Sequence, residues 1–316
     1  MLGQVVAVTA MSLRSIPGRL ASSVVVVIGV AGVVGVLVSV MAMATGLAAM
    51  MGGTGSPTRA IVLHKAATSE GFSNVDVSAL GTIADAPGVD RTPSGTAAVS
   101  PEYVAAVDLP TRSGSEAGIT IRGTGAAGFV VHPEWHIVAG RRFRPGRREI
   151  VVGAAAAAEF PSLALGRHVE LGNADWTVIG RFTSGGDAHE SEILADLPTL
   201  MAAFGWGAYS AVTVRLTSPA VFPAFRQAIV SNPSLDLDAM REQTYYGQQS
   251  KGVASLLFLV SDVVGVIMAI GAVLAALNTM YSAVAARRTE IATLRAIGFG
   301  AGSVAASVLV EAVVLS

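Results

Sequence analysis

Long apolar stretches flank a central segment in which polar and apolar positions are mixed. No charged residue occurs between Arg19 and Arg59, and the apolar run 21–51 fills most of that gap. About 20 apolar residues cross a bilayer as a helix, so this run predicts a first transmembrane helix that tilts or projects beyond the bilayer. A cleaved signal peptide is the alternative, but its apolar core has only about 7–15 residues.

Two more apolar runs follow the central segment. Residues 253–286 predict a second transmembrane helix, in which Asp262 is the only charge. Residues 301–316 predict part of a third, which contains Glu311 and is still apolar where the sequence stops. Ionisable residues inside a membrane segment are candidate functional residues, although a position at headgroup level is the favoured interpretation of Asp262. The apolar end leads us to expect a fragment of a longer chain.

The positions of the arginines predict the orientation of these helices. Residues 1–20 carry Arg14 and Arg19 without an acid, and residues 287–300 carry three arginines against one glutamate. Short positive flanks stay in the cytoplasm, so the central segment is expected outside. The predicted order is a cytoplasmic or interfacial segment (1–20), a first helix (21–51), an external domain (52–252), a second helix (253–286), a cytoplasmic segment (287–300) and a partial third helix (301–316).

The central segment has the pattern of an α+β domain. Short β-branched runs bounded by turn residues predict strands at 60–64, 118–123, 149–153, 168–172, 176–182 and 211–216. Helical patterns lie between and after them, at 77–86, 196–204, 219–230 and 237–249. Because no regular strand–helix–strand repeat occurs, the expected fold class is α+β rather than a parallel α/β sheet.

Composition agrees with a membrane protein and excludes several functional classes. Of the 316 residues, 52% are hydrophobic and only 14% are charged, whereas about 25% charged residues is usual for a soluble domain. The chain has no cysteine, which excludes disulfides and thiol catalysis, and its net charge of −1 gives no reason to expect nucleic-acid binding. Neither lysine, Lys65 or Lys251, follows a glycine, so the chain has no P-loop.

Two motifs in the external segment are candidate ligand sites. Residues 123–128 match the glycine pattern of dinucleotide-binding loops, but residues 129–133 predict a strand and a turn where that site needs a helix. His132 and His136 are four positions apart, a spacing that suits a metal on a helix, yet Pro133 separates them and no helix is predicted. Neither motif is therefore assigned as a site.

Two charged clusters remain in the external segment. Residues 187–192 hold the polar group Asp187, His189, Glu190 and Glu192, which offers oxygen ligands to a cation, although a solvated loop is the favoured interpretation. Residues 141–148 hold five arginines, which attract anionic lipid or polysaccharide in one interpretation and form a solvated turn in the favoured one.

Residues 287–300 carry the most specific motif of the chain. Their sequence, RRTEIATLRAIGFG, resembles the segment R-x-x-E-I-x-x-L-R-A-I-G of ABC transporter permeases of the MacB/FtsX type. Other blocks that resemble this family are Ser15–Arg19, Gly140–Phe143, Val151–Gly153 and the pair Glu311-Ala312. The resemblance covers the whole chain, and the family's fourth span would lie beyond residue 316.

The resemblance implies a non-catalytic permease subunit in the plasma membrane, with no cofactor or metal. The partners it implies are a cytoplasmic ABC ATPase, a second permease copy or paralogue, and membrane lipid. Movement of the external domain would serve export, lipoprotein extraction or mechanical signalling. The residues expected to couple the chain to the ATPase are Arg287, Arg288, Glu290, Ile291, Leu294 and Arg295.

Two other classes of protein were considered. A secreted or membrane-anchored binding protein would need only the first apolar run, so the second run and the basic segment after it count against this class. A signalling receptor would need a cytoplasmic output domain, and the dozen or so residues between the second and third runs are too few. The substrate is not predicted.

Overall fold

The computed structural model describes residues 20–286 and 288–296. The chain divides into two compact units. One unit is Gly46–Val253, which contains the mixed α+β domain with the adjoining turns of two long helices. The other unit consists of the described residues before 46 and after 253. Each unit is described by itself.

The elements of the described residues follow the predicted order of helix, mixed domain and helix. The helices are α1 (Leu20–Gly52), α2 (Ala79–Ala84), α3 (Gly128–Val131), α4 (Ala154–Glu159), α5 (Leu197–Phe204), α6 (Phe222–Val230), α7 (Glu242–Ala286) and α8 (Arg288–Ala296). The strands are β1 (Arg59–His64), β2 (Val99–Pro110), β3 (Glu116–Thr124), β4 (His136–Gly140), β5 (Glu149–Gly153), β6 (His168–Leu171), β7 (Ala174–Thr183), β8 (Glu192–Asp196), β9 (Ala211–Arg215) and β10 (Leu237–Arg241).

The long helices α1 and α7 contain the two predicted membrane segments. Within the described residues, one helical stretch, Ala31–Gly52, is long and apolar enough to cross a membrane. A shorter apolar stretch, Phe258–Leu274, lies in α7. The predicted third helix lies outside the described residues, so the number of membrane crossings stays a prediction.

The domain is built on one mixed sheet. Nine strands lie in the order β10-β1-β9-β2-β3-β8-β5-β7-β4, and β6 pairs with β7. Neighbours are antiparallel except for two parallel pairs, β3 with β8 and β5 with β7. Strands from distant parts of the sequence are thus adjacent, so side chains far apart in the sequence share a face of the sheet.

Both faces of the sheet are buried. In β1, Ala60 and Val62 belong to the main core, whereas Ile61 packs on the opposite face with Tyr245 and Tyr246 of α7. This alternation follows from the two-residue period of a strand. The helices α2, α5 and α6 contribute apolar residues to the main core, and fully burying one such side chain stabilises the fold by about 1.5–3 kcal/mol.

The α+β class is confirmed, but several elements differ from the predictions. The predicted helix 237–249 was wrong in its first part, because residues 237–241 form strand β10 at the edge of the sheet and pair with β1. The strand predicted after Gly128 was also wrong, since Gly128–Val131 is a short helix, whereas the turn predicted at Pro133 is present. Strands β2, β4 and β8 were not predicted at all.

Candidate functional site

A network of charged side chains is buried on the face of the sheet opposite the main core. Two smaller apolar clusters flank it, one around Leu194 and one around Ile61. Strand alternation puts Arg59 on the face of Ile61, and Glu192 on the face of Leu194. Arg122 and Glu102 join them from β3 and β2. These positions fall within strands, where buried charges need partners of opposite sign.

Arg122 is the centre of the network and is 1% exposed. Its Nε and Nη2 donate to the two carboxylate oxygens of Glu192, at 2.7 and 2.9 Å. Its Nη1 donates to Oε1 of Glu70 at 2.6 Å and to Oε2 of Glu102 at 2.7 Å. One guanidinium thus connects three carboxylates that come from three separate parts of the sequence, with the paired geometry that strengthens such bonds.

Arg59 forms the second centre, beside the first residue of α7. Its Nε donates to Oε2 of Glu242 at 2.5 Å, and both terminal nitrogens donate to Glu134, at 3.0 and 2.5 Å. The backbone N–H of Ser56 also donates to Oε2 of Glu242, at 2.9 Å. The start of α7 is therefore fixed to the segment that follows α1.

Two buried histidines lie between these centres, and each is 1% exposed. His132 stacks on Trp135 with ring centroids 4.2 Å apart, and its ring is 5.3 Å from that of His189. Nδ1 of His189 is 3.2 Å from Oε2 of Glu192. Nε2 of His132 is 3.5 Å from Oε1 of Glu102, which is an ion-pair distance rather than a good hydrogen bond.

The pKa values reflect the balance between burial and these partners. Burial by itself raises the pKa of Glu102, but the charge of Arg122, together with His132, outweighs it and lowers that pKa to about 2. Burial lowers the pKa of His132, whereas Glu102, Glu134 and Glu242 raise it to about 9. The carboxylate of Glu102 and the imidazole of His132 are thus both charged at neutral pH, and removing the charge of a partner would leave them unpaired in a buried site.

Further contacts fix the chain where α1 ends and α7 begins. Oγ1 of Thr54, two residues after α1, accepts from the backbone N–H of Ala188 at 2.9 Å. The hydroxyl of Tyr245 on α7 accepts from the backbone N–H of Glu70 at 2.9 Å. Both helix connections are thereby bonded to the domain through buried polar groups.

A cleft of about 590 Å³ lies next to the network. Arg122 and Glu192 form part of its wall, together with the aromatic side chains Tyr103, Trp206 and Tyr246. The cleft offers aromatic surface beside ionised groups.

The structure does not group the candidate site residues as the sequence predicted. His132 and His136 are not brought together, since His132 is buried and His136 is exposed on β4. The solvated-loop interpretation of residues 187–192 was wrong, because Asp187, His189 and Glu192 are all buried. The sequence analysis did not predict this network. The run GITIRG contained a usable signal, because Arg122 is a charged residue inside a β-branched strand and therefore indicates a buried charge with a partner.

The glycine motif and the arginine run are explained by structure. A Cβ on Gly128 would lie 2.1 Å from Oγ1 of Thr124, so the glycine allows α3 to pack closely on β3. In the arginine run, Arg141 is exposed and pairs with Glu149 at 2.6 Å, as expected of a surface turn.

The membrane and coupling candidates remain predictions. Asp262 lies on α7 with an exposed side chain. The segment expected to couple to an ATPase forms helix α8, Arg288–Ala296, which includes five of the six candidate residues. Arg287 and Glu311 lie outside the described residues.

Two family profiles match the chain. Residues 23–232 match the MacB-like periplasmic core domain, and residues 263–316 match the FtsX-like permease C-terminal region. The chain belongs to the MacB/FtsX-type permease family. Its external α+β domain is accordingly a MacB-like periplasmic core domain, and the permease is a component of an ABC transporter with an ATPase partner. No curated relative matches the chain.

Solved structures show similar domains. The periplasmic region of MacB from Actinobacillus actinomycetemcomitans aligns with a TM-score of 0.44 at 15% identity, over 59% of this chain and 90% of that one. The extracellular domain of the noncanonic ABC-type transporter YknZ from Gram-positive bacteria aligns with a TM-score of 0.44 at 18% identity, over 58% of this chain and 99% of that one.

Proposed function

We propose that this permease converts ATP hydrolysis by a separate ATPase into movement of its external domain. The observation that carries the proposal is the buried network that ties both helix connections to the sheet. Because Glu242 is at once the first residue of α7 and the partner of Arg59, displacement of this helix end is expected to pull on strand β1 rather than on a flexible linker.

Helix α7 is suited to carry such a displacement. It comprises 45 residues, more than twice the roughly 20 that cross a bilayer as a helix. The hydrocarbon core of a bilayer is about 30 Å thick, so a helix of this length extends well beyond it. A continuous helix that is bonded into the domain at its first residue supports mechanical transmission.

The proposed arrangement in the membrane keeps the boundaries that the sequence predicts. The segment 1–20 lies at the cytoplasmic side, helices 21–51 and 253–286 cross the membrane, and 301–316 begins a third crossing. Two permease copies, or a copy and a paralogue, form the membrane part of the complex and are surrounded by lipid. The permease contributes no catalytic residue, and the movement serves export, lipoprotein extraction or mechanical signalling.

The contact with the ATPase is proposed for the segment 287–300. Helix α8 has apolar residues at 291 and 294, which would supply the buried anchors of the interface. Glu290 and Arg295 would set the position of the helix on the ATPase through charge pairs. A buried apolar anchor at an interface often contributes more than about 2 kcal/mol, whereas charges at the rim contribute less.

The coupling role is tested by co-purification with the cognate ATPase. The double variant Ile291→Ala and Leu294→Ala is expected to recover much less ATPase than the wild-type permease, whereas Glu290→Gln is expected to recover nearly as much. If the arginines only anchor the helix at anionic headgroups, neutralising Arg287 and Arg288 alters membrane insertion and the double alanine variant binds normally. Unchanged recovery with that variant would remove the coupling role.

A further inference from the structure

Three ligand atoms of a kind that binds transition metals converge inside the network. One ring nitrogen of His132, one of His189 and one carboxylate oxygen of Glu242 all lie within 4.8 Å of one another. All three residues are buried, and none is exposed by more than 1%. They come from the turn after α3, from the short helical turn 188–191, and from the first residue of α7.

The histidine nitrogens have unused capacity to bind. Among the described residues, Nε2 of His189 and both ring nitrogens of His132 are buried without a hydrogen-bond partner. Buried polar groups are nearly always bonded, so three orphan nitrogens in one dry pocket require an explanation. A metal ion bound between the two rings would satisfy two of them, one nitrogen of each histidine, and would leave Nε2 of His132 to Glu102.

The surroundings of the histidines match the second shell of a metal site. A ligating histidine usually turns its other ring nitrogen to a carboxylate, which fixes the tautomer. Nδ1 of His189 faces Glu192 at 3.2 Å, which leaves Nε2 as the free atom. Nε2 of His132 faces Glu102 at 3.5 Å, and its Nδ1 lies 3.6 Å from Oε1 of Glu242. That last distance is near the separation of about 3.3 Å between tetrahedral ligands bonded at 2.0–2.1 Å.

The charge of the network also favours a bound cation. Two guanidinium groups, of Arg59 and Arg122, face five carboxylates, those of Glu70, Glu102, Glu134, Glu192 and Glu242. The cluster therefore carries a formal excess of three negative charges when both histidines are neutral, the form in which they bind a metal, and an excess of two when His132 carries its proton. An uncompensated charge in a dry interior is costly, so a divalent ion would stabilise the cluster.

We propose that His132, His189 and Glu242 bind a divalent transition-metal ion of the zinc class, which ties the first residue of α7 to the domain. Two imidazoles and one carboxylate form a donor set that zinc prefers and that calcium or magnesium, which need several oxygens, does not. Three protein ligands leave a fourth position for water. The stacked ring of Trp135 holds His132 in place.

The test measures metal content of the full permease in detergent, purified with a tag that contains no histidine. The protein is stripped with a chelator, dialysed against Zn²⁺, washed, and analysed for bound zinc. Wild type and the control variant His136→Gln, which alters an exposed histidine, are expected to retain one zinc per chain. His132→Gln and His189→Gln are expected to retain at most a tenth of that.

A second variant keeps the test decisive if the glutamine variants unfold. The chain has no cysteine, so His189→Cys introduces a single thiolate at the proposed site. With Co²⁺ in place of Zn²⁺, this variant is expected to show a sulfur-to-cobalt charge-transfer band in the near ultraviolet that wild type lacks. Absence of retained zinc in wild type, or equal retention in folded His189→Gln, would overturn the proposal. Because the readout is metal content, its failure is separate from failure of the ATPase coupling.

Discussion

Replacing Arg122 with methionine should destabilise the external domain more than any exposed arginine does. Methionine keeps much of the side-chain volume but removes the charge that connects Glu70, Glu102 and Glu192. Breaking one buried ion pair costs about 3–5 kcal/mol, because the remaining charge stays in a dry site. Three carboxylates lose their partner here, but they can bind protons instead, so we expect a loss of about 3–5 kcal/mol rather than three times that value.

Arg141→Met is the matched control. Arg141 makes an equally short pair with Glu149, but its side chain is 42% exposed, and exposed pairs contribute about 0–1 kcal/mol. Arg141 pairs with one carboxylate and Arg122 with three, so a difference between the variants reports burial together with the number of partners.

Unfolding of the domain can be followed in the full chain. All three tryptophans, Trp135, Trp176 and Trp206, lie in the domain, so tryptophan fluorescence reports this unit even in detergent. Urea is the suitable denaturant because guanidinium chloride would screen ion pairs. A chelator in the buffer keeps bound metal from contributing. Equal stability of Arg122→Met and Arg141→Met would refute the reasoning.

The same variant has a predicted pH dependence. In wild type the pKa of Glu102 is lowered to about 2, so its contribution to stability is present above the ordinary value of about 4.5 and is lost as the pH falls toward 2. Without Arg122 burial dominates and raises the pKa of this carboxyl, so the variant becomes more stable as the pH falls and the group binds a proton. The difference in unfolding free energy between wild type and Arg122→Met should therefore shrink between pH 7 and pH 4.

Three further predictions concern packing, topology and membrane attachment. Gly153→Ala should strongly lower the urea midpoint of unfolding, because the new Cβ would lie 2.1 Å from the carbonyl oxygen of Glu190. In the control Gly81→Ala the new Cβ has nothing within 4 Å, so the midpoint should be unchanged or slightly higher. Single cysteines at Arg112, Asp175 and Asn232 should react with an impermeant thiol reagent in intact cells, whereas a cysteine at Arg288 should react only after permeabilisation, and labelling of position 288 from outside would contradict the topology. The full chain should stay in the membrane fraction through an alkaline wash, and its release would favour an anchored or secreted binding protein.

The strands of the domain were predictable where the β-branched pattern of the sequence coincides with burial in the sheet. The runs EIVVG and AVTVR are β-branched and buried on both faces, and both are strands. Residues 237–241, LDAMR, carry no such preference and form a strand only because β1 offers an unpaired edge. That pairing joins positions about 180 residues apart, which a local pattern cannot contain.

The network escaped prediction for the same reason. Glu70, Glu102 and Glu192 have no common motif in the sequence. Glu102 and Glu192 meet Arg122 because β2 and β8 are the neighbours of β3 in the sheet, and Glu70 reaches it from the short helical turn Glu70–Phe72. Near His189 the sequence showed a polar cluster, and local reasoning favoured solvent because charged residues are mostly exposed. The fold thus brings together the oppositely charged side chains that allow one another to be buried.

We propose that ATP binding by the partner moves the external domain through α7. The most direct measurement is the distance between spin labels at Asp175→Cys in the two permease copies of the proposed complex, in nanodiscs with the cognate ATPase. Asp175 is exposed on β7, so the label should not disturb the core. We predict that the distance distribution shifts between the nucleotide-free and ATP-bound complexes, and that the shift disappears when the ATPase is assembled with Ile291→Ala and Leu294→Ala permease. An identical distance distribution in both nucleotide states of the wild-type complex would show that ATP binding does not move the external domain.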